Sequence, residues 1–243
     1  MNDLFDTLNI QTEEELSFYS TVLGLDEQTV AQFSNQNLNP ESAFDWKSRW
    51  NWTITNMLSR LPVGPTDKSY DAQWESIASG GGSRISKEMV HKKQDANVLL
   101  SEPLEIGKVL YFNMGVSTQE INFDHPSDHV QGMLIMEALR QTGLATAHYY
   151  GVPESSQITI TAFNFEFKDV LDERYPILIR LISNLSVNAT SKSTGWGAFE
   201  VLQAGASCVV GGWEGHFVPE RTWKRIRQRS LRKIENLMAS ETA

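Results

Sequence analysis

The stretch that decides the fold is residues 122–150, NFDHPSDHVQGMLIMEALRQTGLATAHYY. It begins as a polar segment with two histidines and two aspartates, and it continues as a helix that is apolar almost all the way round. A helix without a polar face is buried in its own domain, and this one is too short to span a membrane comfortably. Asp128 followed by Gln131 predicts a capping box that starts the helix. The apolar positions are Val130, Met133, Leu134, Ile135, Met136, Leu139, Leu144, Ala145 and Ala147.

Polar side chains interrupt this helix at Glu137, Arg140, Gln141 and His148. The spacing places Glu137, Gln141, Leu144 and His148 on one stripe. In a structural interpretation, Glu137 and Arg140 neutralise each other and His148 caps the end of the helix. In a functional interpretation, the carboxylate marks a site, because burying an unpaired charge is expensive. The residues alone leave both open.

Composition bounds the class of protein. The 243 residues, 40% of them apolar and seven of them tryptophan, suffice for one folded domain with an extension. No long uncharged apolar run predicts a transmembrane segment, and the acidic start lacks the features of a secretory signal, so a cytoplasmic location is expected. The single cysteine, Cys208, is followed by two valines and predicts a buried, inert thiol.

Charge is divided unevenly along the chain. The net charge is −9, and the residues from Glu220 onward contribute +4, which leaves −13 for residues 1–219. An acidic body argues against nucleic acid as a partner.

The first 82 residues predict a helical N-terminal extension. Thr12 and the glutamates after it open an amphipathic run that Gly24 ends, and Leu25-Asp26 opens another. Residues 43–61, AFDWKSRWNWTITNMLSRL, predict a helix packed on the main domain. The glycine triplet at 80–82 predicts a flexible connector rather than a phosphate loop, because no Lys-Ser/Thr follows it.

After residue 90 the spacing of the apolar residues changes from helical to strand-like. Apolar runs at 97–105 and 108–116 precede the buried helix, and runs at 157–167, 176–187, 196–204 and 207–218 follow it. In the first of these later runs the apolar phase slips at Ala162 and Phe163, which predicts either a bulge or a strand covered on both faces. Short turns imply an antiparallel sheet, with the helix covering one face. The predicted fold class is therefore α+β: a single hotdog domain over 83–219, an antiparallel sheet wrapped round one long apolar helix. The helical extension (1–82) precedes it, a basic C-terminal helix (220–243) follows, and the free sheet edge predicts a homodimer.

Three segments carry a family resemblance: MVHKKQDANVLLSEP (89–103), DHPSDHVQGMLIMEALRQTGL (124–144) and AHYYGVP (147–153). Together they resemble the hotdog domain of the A-factor biosynthesis (AfsA-type) family over roughly residues 85–218. More distantly, GMLIMEA (132–138) is similar to the helix of β-hydroxyacyl-ACP dehydratases.

The resemblance implies an acyltransferase. Such an enzyme moves a β-ketoacyl group from an acyl carrier protein thioester to a hydroxyl of dihydroxyacetone phosphate, on the route to a butenolide or butyrolactone signal. Two alternatives stay open: a dehydratase or thioesterase that acts on an acyl-ACP or CoA thioester, and a non-catalytic acyl-binding or scaffold subunit.

Acyl transfer needs a polarised carbonyl, a base and a dry pocket. Free backbone N–H groups around residues 130–132 predict an oxyanion site, and Gly132 allows close approach of the thioester. His125 or His129 is the candidate base. His125 is preferred, because its position before Glu137 is similar to the dehydratase arrangement. Glu137 would orient the substrate from across the tunnel.

Arg140 is the candidate for holding a phosphate, and Asp128 and Gln141 complete the predicted substrate-binding set. A metal held by the histidines and aspartates of the loop is disfavoured, because spacing fixes no third ligand. No cofactor is expected beyond the phosphopantetheine thioester that carries the substrate.

The C-terminal residues RTWKRIRQRSLRKIENLM predict an amphipathic helix with basic residues opposite an apolar stripe. The helix either packs on the domain or docks an acidic acyl carrier protein, with membrane-surface binding as a third option. The stripe consists of Trp223, Ile226, Ser230, Ile234 and Leu237.

Overall fold

A six-stranded antiparallel sheet organises the part of the chain that the structure describes. The structure is a computed structural model, and it describes residues 8–26, 30, 44–65, 67–121, 127–188 and 194–241. Its helices are α1 Glu13–Leu23, α2 Trp52–Arg60, α3 Asp71–Ala78, α4 Gly132–Tyr149, α5 Leu185–Asn188 and α6 Glu220–Glu241, with 3-10 turns at Lys68–Tyr70, Glu88–Val90 and Asp95–Asn97. Its strands are β1 Leu104–Ile106, β2 Val109–Asn113, β3 Gln157–Phe167, β4 Leu178–Ser183, β5 Thr194–Gln203 and β6 Ala206–Val218.

The strand order is β1-β2-β4-β5-β6-β3, and every neighbouring pair is antiparallel. The long helix α4 lies between β2 and β3 in the chain and packs on one face of the sheet, so the predicted α+β hotdog architecture is confirmed. The register of β3 against β6 shifts between Ile160 and Ala162, which agrees with the predicted bulge, whereas the alternative of a strand covered on both faces is wrong because no residue of β3 is buried.

The inner face of the sheet forms a core with α4. Alternate strand residues point to this face and pack against apolar side chains of the helix, as the period of two in a strand requires. These residues include Leu110, Phe112, Ile179, Leu181, Phe199, Val201, Val209 and Trp213 from the sheet, and Leu134, Ile135, Ala138, Leu139, Ala145 and Ala147 from α4.

The outer face of the sheet is covered by the N-terminal layer, which we define as the described residues 8–78. Trp46 stacks on Trp196 of β5 with ring centroids 5.9 Å apart and planes 4° apart. Gly107, in the β1–β2 turn at φ +63°, lies against α1, and a Cβ there would meet the Val22 carbonyl oxygen at 2.2 Å. The adjacent Lys108 N–H donates to that oxygen at 2.6 Å. Strands β2, β4 and β5 are therefore covered on both faces, which explains their almost continuous burial.

The N-terminal helices agree with the sequence only in part. The Thr12 hydroxyl caps α1 and Gly24 ends it at φ +67°, as predicted. The helix predicted over 43–61 was wrong in its first half, because α2 starts only at Trp52. Asn51 caps α2 by accepting a hydrogen bond from Ile54 N–H at 3.2 Å, and Asp45 forms a turn upstream. The helix predicted from Leu25-Asp26 lies mostly outside the described residues.

The strand predicted over 97–105 was also wrong before Leu104. The amide side chain of Gln141 on α4 makes two hydrogen bonds to the backbone of this segment. Its Oε1 accepts from Leu99 N–H and its Nε2 donates to the Asn97 carbonyl, each at 2.9 Å. The segment is therefore a 3-10 turn followed by isolated bridges.

Helix α4 does not start as the sequence predicts. The residue that precedes it is Gln131, with no side-chain capping bond, and the first helical residue is Gly132. The proposed Asp128 cap is wrong, because that carboxylate is exposed and accepts a hydrogen bond from the His129 ring instead.

The C-terminal helix α6 is confirmed as a helix, but the interpretation that its apolar stripe packs on the domain is wrong. Its Ile226 and Ile234 side chains are 42% and 52% exposed. The helix presents its basic residues and this stripe to solvent.

Candidate active site

Helix α4 begins between two clefts. The apolar cleft, of about 510 Å³, is lined by 129–130, Gly132, Ile135 and 167–171. The polar cleft, of about 270 Å³, is lined by 116–118, Ile121, Ser127, 129–131, Leu134 and Glu173. His129 and Val130 line both clefts, so this turn of chain forms the wall between them.

The first turn of α4 offers backbone donors at this wall. Leu134 and Ile135 N–H donate to the Gln131 carbonyl, whereas the N–H groups of Gly132 and Met133 have no hydrogen-bond partner within the described chain. They lie at the positive end of the helix dipole, where a developing oxyanion is stabilised. A Cβ at Gly132 would come within 3.4 Å of the Phe167 ring, so the glycine keeps this position open.

His129 stands at the same wall with a carboxylate partner. Its Nδ1 lies 2.9 Å from Asp128 Oδ1 and 3.4 Å from Ser127 Oγ, and its side chain is 48% exposed. The hydrogen bond from His129 lowers the pKa of Asp128 below its ordinary value. A carboxylate at Nδ1 holds the proton there and leaves Nε2 as a base. The other candidate base, His125, lies outside the described residues.

Glu137 lies five residues along α4, about 7.5 Å from the helix start, inside an ion cluster. Its carboxylate accepts two hydrogen bonds from Arg140 at 2.8 Å and one from Gln141 at 2.9 Å, and it lies 2.8 Å from Lys92 Nζ. Burial acts to raise its pKa, but the hydrogen bonds from Arg140, Lys92 and Gln141 outweigh that effect and lower the pKa to about 2. Glu137 is therefore an anion near neutral pH, which suits orientation and excludes it as a proton donor there.

The ion cluster also accounts for the other polar residues of α4. Its hydrogen bonds to Glu137 raise the pKa of Arg140, and the predicted Glu137–Arg140 pairing is confirmed. Lys92 is a member that sequence reasoning missed, and it also pairs with Glu120. It lies 45 positions before Glu137 in the chain, on a segment whose pattern gives no sign of the contact.

His148, in the last turn of α4, contacts a second histidine, His91. Its Nδ1 lies 2.7 Å from the Val152 carbonyl oxygen, which only accepts, so Nδ1 carries the proton and Nε2 faces His91 Nε2 at 2.9 Å. Burial, and then the neighbouring His148, lower the pKa of His91. The pair joins α4 to the Glu88–Val90 turn, which is a structural role.

Two further findings concern metal ligands and membrane-spanning helices. Across the described ranges, no three His, Cys, Asp or Glu side chains are grouped so as to hold a metal ion. Within those same ranges, no helix combines the length and apolar character needed to cross a bilayer.

The comparisons with known proteins concern the same region. The family model of the A-factor biosynthesis hotdog domain, AfsA, matches residues 78–219. No curated protein matches the chain.

Solved structures that are similar include a mutant thioesterase from Pseudomonas aeruginosa (12% identity, 72% of this chain and 98% of that chain, TM-score 0.39). A thioesterase superfamily member from Thermus thermophilus is similar at 12% identity over 53% and 93% of the two chains, with a TM-score of 0.38. The PaaI protein of the Escherichia coli phenylacetic acid degradation operon follows at 12% identity over 47% and 77%, with a TM-score of 0.33. Because each TM-score is below 0.5, the fold assignment rests on the family match and the sheet topology.

Proposed function

Because this chain belongs to the AfsA family of A-factor biosynthesis hotdog domains, we propose that it is an acyltransferase acting on an acyl thioester. It moves a β-ketoacyl group from an acyl carrier protein to a hydroxyl of a small acceptor such as dihydroxyacetone phosphate, in biosynthesis of a butenolide-like or butyrolactone-like signal. The observation that supports the proposal is the start of α4, where His129, paired with Asp128, lines two clefts and is followed by Gly132 and Met133, whose N–H groups have no partner among the described residues.

His129 is the base of the proposed reaction. Its Nε2 takes the proton of the acceptor hydroxyl, whose oxygen attacks the thioester carbonyl, while Asp128 holds Nδ1–H and stabilises the imidazolium. The N–H groups of Gly132 and Met133 stabilise the tetrahedral oxyanion. The C–S bond then breaks, the leaving thiolate takes the proton from His129, and the products are the acyl ester and the carrier thiol.

The two clefts divide the substrates between them. The apolar cleft receives the acyl chain, because Ile135, Phe167, Val170 and Leu171 line it. Phe167 and Val170 are 49% and 70% exposed without an acyl chain, so a chain lying on them would remove apolar surface from water. The acceptor enters from the polar cleft on the other side of His129.

Glu137 is assigned a positioning role rather than a proton-transfer role. Its carboxylate ties α4 to Lys92, which precedes the sheet in the chain, and its low pKa keeps this ion cluster charged. The cluster fixes the helix relative to the reacting atoms, and a catalytic group gains most from such preorganisation.

The partners follow from charge and from the free sheet edge. Helix α6 carries seven Lys/Arg against three Glu, and all seven basic residues are exposed to solvent, which complements the acidic surface of an acyl carrier protein. Strand β3 is an edge strand, and its exposed edge suits pairing with a second copy, so the proposed assembly is a homodimer.

A mass-spectrometric assay tests the proposal. The chain is incubated with a β-ketoacyl-ACP, with and without dihydroxyacetone phosphate, alongside His129→Ala and the control His216→Ala, an exposed histidine on β6. The proposal expects a phosphorylated acyl ester that needs the triose phosphate, is lost in His129→Ala and persists in His216→Ala. An enoyl product without the triose phosphate, or an unreacted thioester that co-purifies with the protein, would overturn it in favour of a dehydratase or a binding subunit.

One observation favours hydrolysis as a second candidate. The His129 side chain is about half exposed, so water reaches the proposed base. A thioesterase would use the same pair and the same N–H groups with water as the nucleophile. In the assay above it releases free acid whether or not the triose phosphate is present.

A further inference from the structure

Helix α6 carries an apolar stripe that the proposed reaction does not use. The helix starts after Pro219, just beyond the end of β6, and its 22 residues extend for about 33 Å. In the stripe, the Ile226 and Ile234 side chains are 42% and 52% exposed, and Leu231 beside it is 49% exposed. Trp223, at the start of the stripe, is partly exposed. These side chains therefore face solvent rather than the sheet domain.

The basic residues of α6 form two groups around the helix axis. At about 100° per residue, four of them border the stripe, two on each side, and three lie on the opposite face. The border residues are Lys224 and Arg227 on one side and Arg229 and Lys233 on the other, and the opposite-face arginines are Arg221, Arg225 and Arg232. All seven are exposed. Long basic side chains that border an apolar stripe can bind anionic groups while the stripe itself is buried.

Charge distinguishes among the partners that could cover the stripe. A second copy of α6 would place seven basic residues beside seven others, and like charges across an interface repel. An acidic protein complements the charges but gives the apolar stripe no role. A membrane with anionic lipids satisfies both features, because an apolar layer lies directly beneath a plane of negative head groups. Trp223 suits that boundary as well, since an indole ring is apolar with one N–H donor.

The charge of the rest of the chain confines such an attachment to α6. Residues 1–219 carry a net charge of −13, so an anionic surface repels them. With the stripe against the lipid, the opposite-face arginines point away from it. They remain available to an acyl carrier protein, so the two partners of α6 are compatible.

We propose that α6 binds the surface of a membrane that contains anionic phospholipids and lies in the plane of that surface. The stripe enters the boundary between head groups and acyl chains, and the border residues bind lipid phosphates. This function goes beyond the proposed acyl transfer, because it concerns where the chain works and does not depend on the chemistry at His129.

Flotation of the full chain with lipid vesicles tests the proposal. One set of vesicles is phosphatidylcholine alone, and the other is equal parts phosphatidylcholine and phosphatidylglycerol. We expect binding to the anionic vesicles to be about tenfold tighter or more, and to weaken as salt is added.

Three double variants, each with two new glutamines, test the orientation of the helix. The stripe variant Ile226→Gln/Ile234→Gln should bind anionic vesicles about tenfold more weakly, because it removes apolar area from the buried side. It keeps the helix, since glutamine is a better helix former than isoleucine, and circular dichroism checks this. The border variant Arg229→Gln/Lys233→Gln should also lose about tenfold. The matched control Arg225→Gln/Arg232→Gln removes the same charge from the opposite face and should lose only about threefold, because these charges lie about a Debye length farther from the lipid.

Several outcomes would overturn the proposal. They are no flotation with anionic vesicles, a stripe variant that binds as tightly as the wild type, or equal losses in the border variant and its matched control. A stripe variant that changes the oligomeric state in sedimentation, with no flotation of the wild type, would assign the stripe to a second copy. The His129→Ala variant is expected to float like the wild type, so failure of the proposed reaction and failure of lipid binding are read separately.

Discussion

The two faces of the sheet bury similar polar side chains but use them differently. On the outer face, Arg180 and Glu200 form an ion pair with both side chains at most 3% exposed. Arg180 also donates to the Leu61 and Pro62 carbonyl oxygens, which fixes the N-terminal layer to β4. On the inner face, the Glu137 cluster joins α4 to Lys92, and the half-exposed His129 lines both clefts. Polar groups sealed from solvent hold the fold, and those at the limit of the core remain available for chemistry.

The largest expected effect is on the outer face. Glu200→Gln leaves the Arg180 guanidinium buried without its anion, so we expect the free energy of unfolding to fall by about 3–5 kcal/mol in urea titrations. The matched control is Glu214→Gln, whose partner Arg49 is 81% exposed and which should cost less than about 1 kcal/mol. A similar loss in both variants would contradict the division between the faces.

On the inner face, His129→Ala should separate activity from stability. We expect acyl transfer to slow by about 100-fold to 1,000-fold, equivalent to about 3–4 kcal/mol of transition-state stabilisation. The free energy of unfolding should change by less than about 0.5 kcal/mol, because the side chain is half exposed. Initial rates with β-ketoacyl-ACP and a parallel urea titration measure the two quantities. A variant that loses stability along with activity would assign His129 to the fold.

The Glu137 cluster predicts a dependence of stability on acid. The folded-state pKa of about 2 lies below the ordinary value of 4.5, so the carboxylate stabilises the fold above pH 4.5 and this contribution is lost as the pH falls toward 2. Between pH 7 and pH 3, the wild type should lose about 2 kcal/mol more than Glu137→Gln does. Urea titrations of both proteins at the two pH values isolate this residue from the other carboxylates. Equal losses would remove Glu137 from the acid response.

The smallest effect concerns a hydroxyl on the outer face. Thr55 Oγ1 accepts from the Trp50 indole N–H at 3.0 Å and donates to the Gly211 carbonyl oxygen at 3.1 Å. Thr55→Val keeps the shape but leaves both partners unsatisfied, so we expect a loss of about 1 kcal/mol in thermal and urea unfolding, with acyl transfer unchanged. Thr53→Val, on the exposed side of the same helix, serves as the control. A fall in activity would show that the outer face communicates with the site.

The fold could be predicted from the sequence wherever one local pattern dominates. The apolar helix and the phase slip at Ala162 each depend on neighbours within a few residues, and the structure agrees with both. The short turns predicted between the four later strands hold only for β5 and β6, because residues 168–177 separate β3 from β4 and residues 184–193 separate β4 from β5. Residues 97–103 have a strand-like pattern, yet Gln141, some forty positions later, binds the Leu99 N–H and the Asn97 carbonyl, and the segment forms only isolated bridges. The start of α4 was misplaced for a similar reason, because Asp128 binds a ring nitrogen rather than backbone N–H groups.

The candidate site was predicted less completely than the fold. Gly132 and His129 were singled out from the sequence and line the clefts. Lys92 did not emerge as a site residue, because only the folded chain brings it near its cluster. The glycine triplet was assigned to a connector, and in the structure it forms part of a cavity wall. That the N-terminal layer covers the outer face of the sheet could likewise not be predicted, because the strand pattern does not show which segment lies on each face.

The stacking of Trp46 on Trp196 has a consequence for synthesis of the chain. The two rings lie 150 positions apart, so the strand that carries Trp196 leaves the ribosome well after Trp46. At bacterial or eukaryotic elongation rates the N-terminal layer waits about 8–30 s for this partner. During that interval its tryptophans and leucines have no sheet to cover, so the nascent chain is a natural client for a chaperone that shields apolar segments.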